Sequence, residues 1–191
     1  MQKGKLLKLL KTTGAIMEGH FLLTSGLHSN LYIEKFRILE NPIALNKVCK
    51  NMADIVNEKK IDLVLGAAIG GILISGGVGR HLKLNHIFSE RVNGKMELRR
   101  GFEIHKDQNI LIVEDIITTG GSVVELIELV KKNRSNIIHI LSLVDRSKDG
   151  INFGFPFSSL INIPSQSWKE EECPLCQKGI TISKRGSSGK A

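Results

Sequence analysis

The chain has 191 residues, of which 41% are hydrophobic and 24% are charged. This length and composition suit one globular domain with a sizeable core and exclude wholesale disorder. No apolar run approaches the roughly 18 residues that cross a membrane, and the lysine-rich start MQKGKLLKLLKTTG lacks the apolar block of a signal peptide. Three cysteines, an odd number, do not indicate a disulfide framework. We therefore expect a cytoplasmic protein with a single domain, residues 1–191.

The formal net charge of +8 is compatible with a nucleic acid partner, with a phosphate or carboxylate ligand, or with a basic solvated surface. Aromatic residues make up only 5% of the chain, and they do not alternate with basic residues in the way that stacks nucleic acid bases. The basic residues are dispersed along the chain. We therefore expect no nucleic acid and no membrane among the partners.

Apolar runs alternate with helical patterns, which predicts a parallel sheet covered by helices on both faces. The predicted elements, in chain order, are a helix over 43–60 with Pro42 in its first turn, strands at 61–65, 85–89 and 110–113, a helix after Ser122 on which Val123, Leu126, Ile127 and Val130 share one face, and strands at 137–144 and 160–163. The tail 185–191 is expected to fray. Ligands of such sheets collect at the carboxyl ends of the strands, here the loops 66–71 and 114–122.

The second of these loops follows the strand in the stretch ILIVEDIITTGGS, residues 110–122. Backbone amides at a helix start attract an anion, and the glycines let the chain approach a phosphate closely. Two carboxylates would repel a neighbouring phosphate unless they bind a partner of their own. A ribose 5-phosphate satisfies both the amides and the carboxylates if Glu114 and Asp115 bind its hydroxyls. The alternative is that Ser122 caps a helix and that both acids are solvated.

The segment VEDIITTGGS resembles the phosphoribosyl pyrophosphate (PRPP) signature of type I phosphoribosyltransferases. Residues 19–42 and 90–102 resemble the N-terminal segment and the mobile loop of the orotate enzymes in that family. The resemblance implies an α/β fold of the type I phosphoribosyltransferase kind, with a central, mostly parallel sheet flanked by helices. It also implies a PRPP-binding core at about 41–165 and a small hood formed by about 1–40 and the C-terminal segment.

The resemblance further implies that ribose 5-phosphate passes from PRPP to orotate, giving orotidine 5-monophosphate and pyrophosphate in pyrimidine biosynthesis. Magnesium (Mg2+) would be carried by PRPP, without direct ligation by side chains. A purine phosphoribosyltransferase and a PRPP-sensing regulator that binds nucleic acid are the alternatives. The first would lack this hood segment and would have little use for Arg146, and the second usually adds a DNA-binding module.

Site residues follow from the same resemblance. The cations Arg91 and Lys95 are expected to act on the leaving pyrophosphate, with Asp115 as a further catalytic residue. The PRPP site would comprise Arg91, Lys95, Glu114, Asp115, Ile116, Ile117, Thr118, Thr119, Gly120, Gly121 and Ser122, the pyrophosphate loop Ala67, Ala68, Ile69, Gly70 and Gly71, and the orotate site Thr118, Arg146, Ser25, Gly26 and Tyr32.

Each of these assignments has a structural alternative. The lysine and arginines of 91–101 could form a solvated basic loop, the glycines of 66–71 could only allow close packing, and Arg146 could pair with Asp145 or Asp149 on the surface. We expect a homodimer in which 91–101, a segment that orders only on binding, completes the site of the partner subunit.

The chain departs from the family at three positions. Val92 and Glu97 stand where a lysine and a histidine are frequent in the mobile loop, so Arg99 and Arg100 are candidates to replace the lost charge. Thr24 stands where many members have a PRPP-binding lysine. Lys35 is near enough in sequence to compensate.

Cys173 and Cys176 have the spacing of half a tetrahedral zinc site. A complete site needs two more ligands, from histidines or from a second subunit. Two inert thiols are the simplest interpretation, and a redox pair is a further one. His139 alternates along a predicted strand, which favours a hydrogen-bonded residue of the sheet.

Overall fold

The computed structural model describes residues 3–23, 25–148, 150–164 and 166–184. Thr24, Asp149 and the tail 185–191, on which expectations were placed above, lie outside these residues. The helices are α1 (Lys3–Thr12), α2 (Phe36–Leu39), α3 (Pro42–Val56), α4 (Gly70–Leu82), α5 (Gly121–Lys132) and α6 (Pro174–Gln177). The strands are β1 (Ile16–Leu22), β2 (His28–Ile33), β3 (Leu63–Ala67), β4 (Asn85–Val92), β5 (Lys95–Leu98), β6 (Asn109–Ile117), β7 (Asn136–Asp145), β8 (Phe157–Asn162), β9 (Ser167–Trp168) and β10 (Ser183–Lys184). Among the described helices, none has the length and apolar character needed to cross a membrane.

The larger sheet has six strands in the order β5-β4-β3-β6-β7-β8. All neighbouring strands are parallel except β4 and β5, which confirms the predicted mostly parallel sheet. Its two faces pack against different helices: Val64 and Leu111 lie in one cluster with α1, α3 and α4, whereas Leu65 and Ile110 lie in the other with α5. Both faces are buried because the strands are almost continuously apolar.

The predicted helices are confirmed, with local chemistry that explains where they begin. Pro42 is the first residue of α3, and the side chain of Asn41 caps the helix by accepting hydrogen bonds from two amides. This helix ends at Val56, so the prediction to residue 60 was too long. In α5 the predicted apolar face is buried against the sheet: Val123, Leu126, Ile127 and Val130.

A second sheet joins the two ends of the chain in the order β10-β1-β2-β9. Phe21 of β1 pairs with Ser183 of β10, and His28 of β2 pairs with Trp168 of β9. This sheet is the hood expected from the N- and C-terminal segments. The turn between β1 and β2 carries Ser25 and Gly26.

Two segments differ from the sequence-based expectation. Strand β6 does not end at Val113 but continues through both acids to Ile117, because its pairing with β7 runs on to Ile117 and Asp145. Residues 91–101, expected to be an irregular loop, instead include the hairpin of β4 and β5. Asn93 and Gly94 both have positive φ, 48° and 82°, as a tight two-residue hairpin turn requires.

Candidate active site

A pocket of about 250 Å³ lies at the start of α5. The amide of Val124 donates to the Gly120 carbonyl at 3.0 Å, so the amides of Gly121, Ser122 and Val123 come before the first bond of the helix and have no partner within it. These amides and the helix dipole favour an anion. The pocket lining comprises Arg91, Glu114, Ile116, Ile117, Thr118, Thr119, Gly120, Gly121, Ser122, Val123 and Glu125.

Gly120 cannot be replaced without disturbing this anion-binding turn. It is the N-cap residue of α5, with φ 81° and no side-chain cap bond, which excludes the alternative that Ser122 caps the helix. A Cβ on Gly120 would lie 2.8 Å from the Phe153 ring. The Ser122 hydroxyl therefore remains available to a ligand in the pocket.

The two acids are buried, which excludes the alternative of solvated carboxylates. Glu114 is 7% exposed and Asp115 is 3% exposed. Because neighbouring side chains of a strand point to opposite faces, Glu114 lines the pocket beside α5, whereas Asp115 is not part of that lining and lies against Gly70 at the start of α4. From the sequence, both acids were expected to lie side by side in one loop.

Glu114 has the environment of a carboxyl group that holds its proton. Burial, and secondarily the charge of Asp115, raise the pKa of Glu114 to about 8. Its Oε1 accepts a hydrogen bond from the Asp115 amide at 3.0 Å, which favours the ionised form but does not offset the burial. At neutral pH this side chain can therefore both donate and accept hydrogen bonds.

Asp115 is held by a lysine from the hood side of the chain. Lys35 Nζ lies 2.8 Å from Asp115 Oδ2, an ion pair whose angles do not meet those of a hydrogen bond, and Oδ1 accepts from the Ile116 amide at 2.6 Å. A Cβ on Gly70 would clash with Asp115 Oδ2. Lys35, suggested by its sequence position, thus reaches the candidate site.

The predicted pyrophosphate loop connects β3 to α4. The Ala68 amide donates to the Ser89 carbonyl at 2.8 Å, and the Ala68–Ile69 peptide is cis. The amides of Gly70 and Gly71 precede the first turn bond of the helix, which runs from Ile72 to Ile69. A Cβ on Gly66 would clash with the Gly71 carbonyl oxygen. Close packing therefore explains Gly66, while the amides of the helix start remain free to receive an anion.

The predicted cations are only partly brought together. Arg91 lines the pocket at α5, where its guanidinium donates to both carboxylate oxygens of Glu125, at 2.6 and 3.2 Å, and to the Gly94 carbonyl. Lys95 is exposed and does not line this pocket. Arg100 pairs with Glu90 at 2.9 Å. Arg91 and Arg100 are therefore engaged by carboxylates rather than simply solvated.

A second pocket of about 840 Å³ lies under the hood and shares Thr118 and Thr119 with the first. Ser25, Tyr32 and Arg146 line it, but Gly26 does not. Arg146 Nε is buried without a hydrogen-bond partner among the described residues, and burial lowers the pKa of Arg146. Asp145, its suggested surface partner, instead accepts hydrogen bonds from Ser147 and Asn162.

The raised pKa of Glu114 makes a testable prediction about stability. An acid whose pKa is raised by folding contributes stability that is complete below its unfolded value, near 4.5, and is lost as pH rises through about 8. Glu114→Gln mimics the protonated form, so its free energy of unfolding should match the wild type near the lower pH and exceed it, by at most about 5 kcal/mol, above the upper one.

Urea unfolding of the ligand-free protein at several pH values measures this difference. The control is Glu128→Gln on the exposed side of α5, which should leave the pH profile unchanged. Parallel profiles for Glu114→Gln and the wild type would contradict the assignment of a raised pKa.

A six-stranded, mostly parallel sheet with two adjoining pockets beside the start of a helix defines a class of α/β protein, which sequence comparison identifies. The model of the phosphoribosyl transferase domain matches residues 36–176, so the chain belongs to the phosphoribosyltransferase family. An orotate phosphoribosyltransferase of Caldicellulosiruptor bescii is 41% identical over 190 residues, covering 100% of both chains. Within the family, the chain therefore belongs with the orotate phosphoribosyltransferases.

Solved structures share the fold across base specificities. An orotate phosphoribosyltransferase from Aeropyrum pernix has a TM-score of 0.69 and 24% identity, over 83% of this chain and 93% of that one. An adenine phosphoribosyltransferase from Saccharomyces cerevisiae has a TM-score of 0.66 and 21% identity, over 83% and 99%. The fold is thus common to enzymes of both bases, and base choice has to come from the residues of the site.

Proposed function

We propose that this protein transfers ribose 5-phosphate from PRPP to orotate, giving orotidine 5-monophosphate and pyrophosphate in the synthesis of pyrimidine nucleotides. The observation that carries the proposal is the pair of adjoining pockets that share Thr118 and Thr119. One offers free amides to a phosphate, and the other offers the buried guanidinium of Arg146 to a carboxylated base.

The phosphate end of PRPP binds at the start of α5. The amides of Gly121 and Ser122 and the hydroxyls of Thr118, Thr119 and Ser122 donate to its 5-phosphate, while Glu114 binds a ribose hydroxyl. Lys35 leaves the Asp115 carboxylate and pairs with pyrophosphate oxygens instead. Asp115 is then able to bind the other ribose hydroxyl. The 2.8 Å ion pair of Lys35 and Asp115 supports this exchange, because it holds a cation beside the amides of Gly70.

The leaving pyrophosphate gains negative charge as C1 of the ribose becomes cation-like in the transition state. Catalysis therefore needs donors and cations aimed at the pyrophosphate rather than a nucleophilic side chain. The amides of the loop Ala67–Gly71 and Lys35 provide them from one side. Arg91 provides its guanidinium after release from Glu125, with which it forms an ion pair.

Magnesium enters this site with PRPP. Mg²⁺ usually keeps several waters and binds through substrate phosphates together with one or two carboxylates. Glu114 and the hydroxyls of Thr118 and Thr119 line the pocket with oxygen atoms that would hydrogen-bond the waters of such an ion without ligating it directly. When bound, the ion neutralises charge on the pyrophosphate.

Orotate is selected by Arg146. The guanidinium forms a planar fork that matches a carboxylate, and its burial makes an unpaired state costly. Orotate offers a carboxylate and ring oxygens, which adenine lacks. Ser25 and Tyr32 of the hood close over the base. A purine base would leave the charge of Arg146 without a counter-charge.

Lys95 completes the site of a partner subunit in our proposal. Its exposure, away from the lining of both pockets of its own chain, supports a homodimer in which 91–101 reaches the two-fold interface, with Arg91 in the pocket of its own chain and Lys95 presented to the site of the partner. Mixing Lys95→Ala subunits with Asp115→Asn subunits should then restore one intact site in each heterodimer. A random mixture would recover roughly a quarter of wild-type activity, since half of the dimers have one good site.

The matched control replaces the Asp115→Asn partner by the double variant Lys95→Ala/Asp115→Asn, with which every site stays defective. Subunit exchange is verified by mass spectrometry of tagged chains. Activity that stays absent after verified exchange would place Lys95 in the site of its own subunit.

A direct assay tests the activity. Purified protein with PRPP, Mg²⁺ and orotate should lower the absorbance of orotate and release pyrophosphate, and omission of PRPP should abolish both changes. The alternative function is a PRPP-sensing regulator, for which we expect no turnover together with tight, salt-sensitive DNA binding. The charged substrates and products also fit a cytoplasmic location.

A further inference from the structure

The hood contains a cluster of potential metal ligands outside the lining of both pockets. His20 lies in β1, His28 in β2, and Cys173 and Cys176 flank the start of α6, and their ligand atoms all lie within 4.8 Å of one another. His20, His28 and Cys173 are buried, and neither pocket is lined by any of the four residues. We propose that His20, His28, Cys173 and Cys176 bind a structural zinc ion that fastens the C-terminal segment to the hood sheet.

Four separations among the ligand atoms match those of a tetrahedral site with two nitrogens and two sulfurs, and all six are within 4.8 Å. With usual zinc bond lengths, two nitrogens lie about 3.3 Å apart, and a nitrogen and a sulfur about 3.6 Å apart. His20 Nε2 is 3.0 Å from His28 Nδ1, 3.5 Å from Cys173 Sγ and 3.7 Å from Cys176 Sγ. Cys176 Sγ is 3.2 Å from His28 Nδ1. Each separation is within about 0.4 Å of the tetrahedral value.

The tautomer of His20 provides an independent argument. Its Nδ1 lies 2.7 Å from the Ile180 carbonyl oxygen, which can only accept, so Nδ1 carries the proton and donates. The lone pair of a neutral His20 is therefore on Nε2, the atom that faces the other three ligands. Histidines that bind zinc commonly donate their second nitrogen to a carbonyl or carboxylate in this way.

The ligand set selects the metal and the role. Two imidazoles and two thiolates in a tetrahedron favour zinc, and four protein ligands leave no open position for a substrate, as in structural rather than catalytic sites. The cluster thus accounts for the CxxC pair that the proposed transferase activity does not use.

A bound metal would stabilise a part of the hood that has little regular structure. Between β9 and β10, strands of two residues each, the C-terminal segment forms only a short 3₁₀ turn and the four-residue helix α6. Small units with little apolar core are commonly stabilised by a metal. The two histidines also bracket the turn that carries Ser25, so the metal fixes the base of a turn that lines the hood pocket. That last consequence rests on the proposed binding of orotate.

Zinc titration tests the proposal without measuring turnover. The full chain, without a polyhistidine tag, is reduced, stripped with a chelator and titrated with Zn²⁺ in a competition assay. We expect about one tight site per chain and at least a hundredfold weaker binding for Cys176→Ser and for His28→Ala. Replacing zinc with Co²⁺ should give the visible bands of a tetrahedral thiolate site, and chelation should lower the melting temperature of the wild type.

Two control variants have matched chemistry. Cys49→Ala removes a thiol outside the cluster, whose pKa burial raises to about 12, and His105→Ala removes an exposed imidazole. Both should keep full zinc binding. Failure of the reduced wild type to bind zinc, or retention of tight binding by both ligand variants, would overturn the proposal. Because the readout is metal binding, loss of orotate turnover alone would leave this result unaffected.

Discussion

Arg146→Ala should raise the Michaelis constant for orotate by roughly ten- to over a hundredfold, since a hydrogen bond between charged groups contributes about 1.5–3 kcal/mol. The affinity for PRPP should change little, because Arg146 lines the hood pocket and not the pocket at the start of α5. Its buried Nε is unpartnered in the described part of the chain, and the proposed complex pairs this donor with the orotate carboxylate. Steady-state kinetics with each substrate varied in turn measures both effects.

Two further variants sharpen this test. Arg146→Lys keeps the charge but loses the planar fork, so its effect should lie between those of the wild type and Arg146→Ala. Arg134→Ala, which removes an exposed arginine, should leave both Michaelis constants unchanged. Equal damage to orotate and PRPP binding in Arg146→Ala would assign this residue a structural role.

Asp115→Asn should weaken PRPP binding by roughly ten- to a hundredfold while the fold survives, because an amide replaces an ionised acceptor. Removing the carboxylate also leaves Lys35 without its ion-pair partner at 2.8 Å. Calorimetric titration with Mg²⁺ and PRPP measures the affinity. The control Asp54→Asn breaks an exposed ion pair with Lys50 and should bind PRPP like the wild type.

The proposed move of Lys35 from Asp115 to pyrophosphate predicts different effects for variants of these two residues. Lys35→Met removes the cation for pyrophosphate, so it should weaken PRPP binding but not the binding of ribose 5-phosphate. Asp115→Asn should weaken both, since the ribose hydroxyls belong to both ligands. Unchanged PRPP affinity in Asp115→Asn would remove this residue from the PRPP site.

The sheet was predictable because its strands are buried on both faces and therefore almost continuously apolar. The residue at which β6 ends was not predictable in this way. Its apolar run stops at Val113, yet the strand continues to Ile117, since Glu114 and Asp115 are buried for the site rather than for packing. A periodicity argument places two acids outside a strand, because burial of a carboxylate is costly in the absence of a function.

The sequence contains signals of the hairpin of β4 and β5, but the segment was interpreted as a loop. Residues Met96 and Leu98 alternate with exposed ones and pack against the cluster beside α5, and Asn93-Gly94 is a strong hairpin signal. The resemblance to a mobile loop favoured an irregular conformation over this hairpin.

The cluster of four potential metal ligands in the hood could not be predicted from a single sequence. The spacing of Cys173 and Cys176 indicated half a site, but nothing local distinguishes His20 and His28 from the other histidines. They join the cysteines only because the hood sheet unites both ends of the chain, in the order β10-β1-β2-β9. His139, by contrast, was correctly predicted as a sheet residue, and its Nε2 lies 3.0 Å from the Ser158 hydroxyl.

A competition between bases tests most directly the claim that this site is built for orotate. Equimolar orotate, adenine, guanine and hypoxanthine are mixed with limiting PRPP, Mg²⁺ and purified protein, and the nucleotide products are identified by mass spectrometry. The account predicts that orotidine 5-monophosphate takes up nearly all of the ribose 5-phosphate, and that Arg146→Ala lowers its yield. A purine nucleotide as the main product of the wild-type protein would contradict the account.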